Sequence, residues 1–169
     1  MTRLATAVFA VLLVAGAAPA VALSPKQDAR VEGDWSTTIR PVELRPPGDY
    51  STHYVSVSYK PKCAQGPCDV ILTQPTHWGD VRQTLKRHGA RYSGTKTFPG
   101  DVSCNNHDVR RGYRWRLTVV IRVVRVAEDG VSADRIRGRS TTRGTPRRKA
   151  CAGGSEILER DTWRSKRVH

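Results

Sequence analysis

Apolar and polar side chains alternate along much of the chain after residue 31, which is the pattern of half-buried β-strands. The clearest predicted strand runs from Tyr113 to Ala127, where apolar residues at the odd positions from Tyr113 to Val123 alternate with arginines and β-branched residues. Glu128-Asp129-Gly130 predicts a tight turn after this segment, and Val131 to Gly138 predicts the returning strand of a hairpin.

Shorter segments with the same period predict further strands. They are Trp35 to Arg40, Tyr54 to Tyr59, Cys68 to Thr73, Val81 to Lys86, Arg91 to Thr97 and Glu156 to Arg167. A helix is the alternative for the fourth and the last of these. Two polar segments containing glycine and proline, Phe98 to Gly112 and Thr141 to Lys149, predict loops. Short strands joined in order by turns predict an all-β protein, either an antiparallel up-and-down barrel or, alternatively, a β-sandwich.

The first 22 residues have a different composition. Arg3 precedes an apolar run from Leu4 to Val14, and both Ala18-Pro19-Ala20 and Ala20-Val21-Ala22 fit the small-x-small cleavage rule. We expect a secretory signal peptide over 1–22, a flexible lead-in over 23–30 and one β domain over 31–169. A retained N-terminal anchor is the alternative. The remaining sequence contains no apolar stretch long enough to predict a transmembrane segment, so we expect a secreted protein.

Four cysteines follow the predicted cleavage site, where an oxidising compartment favours disulfides. Of the three connectivities, Cys63–Cys68 with Cys104–Cys151 is favoured, because Gly66-Pro67 can turn the chain between the first two cysteines. Zinc sites use paired short cysteine spacings, which this sequence lacks. We therefore expect two disulfides and no metal.

The charge is strongly positive and unevenly distributed. The chain has 29 Lys and Arg against 15 Asp and Glu, and its last 60 residues hold 17 basic and 6 acidic side chains. Such a field attracts anionic envelope polymers or acidic partners, although base composition of the genome and solubility explain the same excess. The candidate anion-binding residues are Arg135, Arg137, Arg139, Arg143, Arg147, Arg148 and Lys149. A nucleic acid is not expected, because the protein is predicted to be exported and this segment lacks interleaved aromatics.

Common catalytic and nucleotide-binding motifs are absent from the sequence. It contains no G-x-S-x-G, H-E-x-x-H, P-loop or G-x-G-x-x-G, and its five histidines are scattered. We therefore expect a protein that is not an enzyme and needs no cofactor.

Gly33-Asp34-Trp35 begins the first predicted strand, and arginines at 160, 164 and 167 lie in the last. This arrangement resembles the G-x-W and terminal-arginine signature of the lipocalin and avidin-like (calycin) barrels. The resemblance implies that Trp35 closes one barrel end and that a late arginine, which we assign to Arg164, packs across it. The order of G-x-W, the C-x4-C turn, Tyr92-Ser93-Gly94 and two later cysteines is also similar to small secreted domains of actinobacteria that have no assigned activity.

Two functional hypotheses follow. The first is a secreted barrel that binds a small apolar or amphipathic ligand. The second is a basic interaction module that adheres to an anionic cell-envelope polymer or an acidic partner. An interior pocket of roughly 300 Å³ or more would favour the first hypothesis over the second.

Overall fold

A computed structural model describes residues 25–48, 51–76, 79–104, 107–147 and 155–168, with the backbone alone over 102–104 and 107–110. The described chain forms a one-turn helix, α1 (Pro25–Asp28), and eight strands. The strands are β1 (Gly33–Arg45), β2 (His53–Pro61), β3 (Val70–Thr76), β4 (Gly79–His88), β5 (Arg91–Cys104), β6 (His107–Val126), β7 (Ala133–Pro146) and β8 (Ile157–Arg167). Each strand pairs with the next, and β8 pairs antiparallel with β1 to close the barrel. The predicted all-β up-and-down barrel is confirmed, and the sandwich alternative is wrong.

Alternation along the strands separates the interior of the barrel from its outer surface. In β6 the odd positions from Tyr113 to Val123 are buried, whereas the even positions are exposed or half-buried. Strands with a period of two present one face to each side of a sheet, so closing the sheet encloses the apolar face. The largest fully buried side chains are Trp35, Trp163, Tyr59, Tyr92, Leu72, Leu85, Ile121 and Ile136.

Several local predictions are corrected by the structure. The segments Val81 to Lys86 and Glu156 to Arg167 are strands, so their helical alternatives are wrong. The predicted loop over Phe98 to Gly112 is instead a continuation of β5 and β6, which pair as far as Cys104 with His107. Within the described residues, β6 pairs with β7 only from Tyr113 onward. The part of the β5–β6 hairpin before Tyr113 therefore extends past β7, and it needs no apolar face. Most of the predicted loop from Thr141 belongs to β7.

Residues 25–32 cover one end of the barrel. Ala29 and Val31 are buried in the core, and the Tyr92 hydroxyl donates a hydrogen bond to the Ala29 carbonyl. Arg30 pairs with Ser132 through backbone hydrogen bonds to Val131 and Ala133. In the predicted lead-in over 23–30, Ala29 and Arg30 therefore pack onto the barrel, because Ala29 is buried in the core and Arg30 pairs with Ser132. None of the described helical segments is long and apolar enough to cross a membrane.

The predicted disulfide between Cys63 and Cys68 is confirmed. The Arg30 guanidinium donates hydrogen bonds to the carbonyl oxygens of Cys63 (3.1 Å) and Gly66 (3.2 Å), so the disulfide loop is held against the covered end. Closing so short a loop contributes about 2 kcal/mol in the chain-entropy treatment. The predicted bridge between Cys104 and Cys151 lies outside the side chains that the structure describes.

The contact between β4 and β5 is the shortest in the sheet. Only three described residue pairs join these strands, from Lys86 with Ser93 to His88 with Arg91. At the next step a Cβ built on Gly94 would lie 2.3 Å from the carbonyl oxygen of Thr84, so the two backbones can pass this closely only because residue 94 is glycine. From Gly94 onward, the structure describes no register pairs between β5 and β4.

Candidate functional site

The barrel interior is filled at the covered end and open at the other. Trp35, Tyr59 and Tyr92 fill the covered half, where the rings of Trp35 and Tyr59 meet edge to face with centroids 5.9 Å apart. The opposite half contains a cavity of about 370 Å³. Its apolar lining includes Ile39, Val55, Phe98, Trp115, Leu117 and Ile157, and its polar lining includes His53, Gln74, Ser140, Thr142, Glu159 and Asp161.

Small inward residues on β7 leave this space open. Ser140, Thr142 and Gly144 occupy successive inward positions, where larger apolar side chains would fill the barrel. Gly144 lies directly against Trp115, because a Cβ built on it would come within 2.5 Å of the indole ring. The Trp115 ring also stacks on Tyr113, with centroids 5.5 Å apart. The indole is therefore fixed as one wall of the cavity.

A series of hydrogen bonds between three buried side chains, called here the polar chain, runs from the core to the cavity. The Trp163 indole Nε1 donates a hydrogen bond to Ser140 Oγ at 2.9 Å, and Ser140 Oγ donates to Asp161 Oδ2 at 2.7 Å. All three residues are buried, with Asp161 only 6% exposed. Hydrogen bonds in such a low-dielectric setting orient their members strongly. The Asp161 carboxyl is thus held in one position at the cavity wall.

Glu159 and Asp161 form a pair of carboxyls in the cavity. Burial raises the pKa of Glu159, and the negative charge of Asp161 raises it further. Burial also raises the pKa of Asp161, while the hydrogen bond from Ser140 and the nearby His53 partly offset that rise. Both carboxyls therefore keep a proton to higher pH than they would in water, because two neighbouring charges in a desolvated site are unfavourable.

Two buried acceptors in the cavity, Asp161 Oδ1 and Gln74 Oε1, receive no hydrogen bond from the described residues while the neighbouring Glu159 carboxyl is ionised. An unsatisfied buried acceptor costs about 1–3 kcal/mol, so a molecule that supplies N–H or O–H groups here recovers that free energy. The cavity consequently offers an apolar wall together with acceptors for donor groups. That combination suits an amphipathic ligand whose polar end is a donor.

Of the two residues that the resemblance assigned to barrel closure, Trp35 lies inside the covered end and Arg164 does not lie inside the barrel. Trp35 is fully buried there, and its Nε1 donates to the Glu32 carbonyl at 3.0 Å. Arg164, however, lies on the outer face, because Trp163 points inward and successive strand residues alternate. The arginine paired with Trp35 across β1 and β8 is Arg167, whose guanidinium lies 3.5 Å from the Glu32 carboxylate.

The five candidate anion-binding residues that the structure describes lie on the outer surface, away from the cavity. Arg135, Arg137 and Arg139 share the outer face of β7, as their period of two predicts, and Arg143 and Arg147 continue the same row. Arg143 forms an ion pair with Glu156 at 3.1 Å. Residues Arg148 and Lys149 lie outside the described residues.

Sequence reasoning missed the cavity residues, although a signal for two of them was present. A strand over Glu156 to Arg167 places residues 157, 159, 161 and 163 on one face, so Glu159 and Asp161 share the inward face with Trp163. Gln74, Ser140 and His53 gave no comparable signal, since they join the site only through closure of the barrel.

No described group of three His, Cys, Asp or Glu side chains is arranged to hold a metal ion. In the comparisons with known proteins, no family model matches the chain, and no curated protein matches its sequence significantly.

Proposed function

We propose that this chain is a secreted, non-enzymatic carrier that binds a small amphipathic molecule in the open half of its barrel. The observation that carries the proposal is the cavity of about 370 Å³, which falls within the usual range for small-ligand sites of roughly 300–1,000 Å³. An eight-stranded barrel has room to enclose one small ligand. The predicted signal peptide and the Cys63–Cys68 disulfide support an oxidising, extracellular location.

The chemistry of the cavity wall favours a ligand with an apolar body and a donor group such as a primary amine. Val55, Phe98 and Leu117 provide the surface that removes the apolar body from water. Asp161 Oδ1 and Gln74 Oε1 provide acceptors for N–H groups. An ammonium group also gains a charge-assisted hydrogen bond wherever a carboxylate is ionised.

Calorimetric titration with octylamine, octanol and octanoate tests this proposal. We expect octylamine to bind most tightly and octanoate most weakly, because the cavity contains acceptors and carboxyls. Leu117→Trp should reduce octylamine affinity at least tenfold by filling the cavity, whereas Thr118→Trp should leave it unchanged, since Thr118 lies on the outer side of the same strand.

Asp161→Asn separates the polar contact from the apolar one. This variant preserves the size of the side chain and should weaken octylamine more than octanol. Equal affinities for all three probes, or equal binding by the Leu117→Trp and Thr118→Trp variants, would contradict binding in this cavity.

A further inference from the structure

The outer face of β5 to β8 carries a row of arginines that runs across the strands. Its members are Arg91, Arg122, Arg137 and Arg164, one on each strand. Each is the register partner of the next, and all four side chains are exposed. Because neighbouring strands lie about 4.8 Å apart, the row places four guanidinium groups along about 15 Å of surface.

A second cationic row lies beside the first. Arg135 on β7 pairs in register with Lys166 on β8, and both side chains are exposed. A surface groove of about 580 Å³ includes residues of both rows, and its lining contains Arg135, Arg137, Arg164 and Lys166 as well as the ion-paired Arg125 and the apolar Val124. We call these six basic residues, Arg91, Arg122, Arg135, Arg137, Arg164 and Lys166, the arginine face.

The charge of the arginine face is not neutralised by the described part of the protein. No ion pair joins any of its six residues to a carboxylate within the described ranges, whereas nearby Arg125, Arg143 and Arg160 are paired with Asp134, Glu156 and Glu43. Like charges directly opposite each other on a sheet are destabilising. Solubility needs only net charge and does not require three such pairings in one row, so the arrangement points to an external anion.

We propose that the arginine face binds a flexible linear polyanion with closely spaced phosphate groups, separately from the cavity inside the barrel. Guanidinium groups hold phosphate oxygens in paired hydrogen bonds, and a row of them matches a chain of phosphates. The wall of a closed barrel curves away from a rigid partner, whereas a flexible chain can follow it.

The surroundings of the face favour this partner over two other anionic ones. The large exposed hydrophobic residues among those described are Val42, Tyr54, Val131 and Val168, and none lies in β5 to β8. Single-stranded nucleic acids are usually held by exposed aromatic side chains, and membrane surfaces by inserted apolar ones. A polymer recognised through phosphate alone needs neither.

The proposal is tested by binding of an inorganic polyphosphate chain to the full protein over a range of salt concentrations. The face variant combines Arg122→Gln, Arg137→Gln and Arg164→Gln. The matched control combines Lys60→Gln, Lys62→Gln and Arg82→Gln, which are exposed on the other side of the barrel and change the net charge equally. Urea unfolding of both variants checks that each is folded.

We expect the face variant to lose at least tenfold in affinity at about 0.1 M salt and to show a shallower salt dependence, because about three phosphate contacts are lost. The control should lose less than about threefold. Equal losses would show attraction by net charge alone and would overturn the proposal. Tighter binding of polyuridylate or of phosphatidylglycerol vesicles than of polyphosphate at equal phosphate concentration would also overturn it, by identifying a different partner.

Discussion

Ser140→Ala gives a sharp test of the polar chain in the barrel. The substitution removes one hydroxyl from a buried position and breaks the hydrogen bonds from Trp163 and to Asp161. It leaves a buried indole N–H without its acceptor and a buried carboxyl oxygen without its donor. Each such group costs about 1–3 kcal/mol, so we expect a loss of about 3 kcal/mol in unfolding free energy at neutral pH. That is a large part of a typical total of about 5–15 kcal/mol.

Ser165→Ala is the matched control. Ser165 is equally buried on β8, but the hydrogen bond that its hydroxyl makes within the described structure is one accepted from the neutral hydroxyl of Thr37, at 2.8 Å. We expect this variant to lose about 1–2 kcal/mol, because it leaves one buried group, the neutral Thr37 hydroxyl, without its partner, whereas Ser140→Ala leaves two. Urea unfolding followed by tryptophan fluorescence measures both variants.

The cost of Ser140→Ala should also depend on pH. The Ser140 hydroxyl lowers the pKa of Asp161, so removing the hydroxyl raises that pKa further above its unfolded value. A carboxyl with a raised folded pKa contributes stability at acid pH that is lost as the pH rises. The difference between Ser140→Ala and the wild type should therefore grow from acid to neutral pH. Equal losses for Ser140→Ala and Ser165→Ala at all pH values would refute this reasoning.

Three further substitutions test other parts of the structure. Tyr59→Phe should raise the unfolding free energy by about 1 kcal/mol in urea titrations, because the buried Tyr59 hydroxyl has no partner among the described residues and burial raises its pKa. Asp161→Asn should gain stability over the wild type as the pH rises from about 4 to neutral, since the wild type must ionise two neighbouring buried carboxyls and the variant only Glu159; a pH-independent difference would contradict the raised pKa of Asp161. Gly94→Ala should lower the unfolding free energy by about 1–3 kcal/mol, because its Cβ would lie 2.3 Å from the Thr84 carbonyl oxygen; an unchanged value would mean that β4 moves away freely.

The sequence predicted those parts of the fold in which apolar side chains mark the inward face. The segment from Tyr113 to Ala127 is the clearest case, and the Gly66-Pro67 turn led to the confirmed disulfide between Cys63 and Cys68. The pattern failed where inward residues are small or polar. From Ser140 to Gly144 the interior is a cavity, so no apolar alternation identified the strand.

The sites were predictable only in part, since both depend on register between strands. The period of two placed Arg135 and Arg137 on one face, but their alignment with Arg122 and Arg164 arises from pairing across three strands. The same period, applied from Trp163, would have placed Arg164 outside and Arg167 inside. Gln74 reaches the cavity only through closure of the barrel, which no local pattern encodes.

The central claim is that the open half of the barrel is a ligand site, and mapping of backbone amide chemical shifts during titration with octylamine tests it most directly. Saturable shifts should concentrate in the strand segments that line the cavity, around Val55, Gln74, Leu117, Thr142 and Asp161. Amides around Trp35 and Tyr59 at the covered end should remain unchanged. The absence of saturable shifts, or shifts concentrated at the covered end or on the outer face of β6 to β8, would contradict the claim.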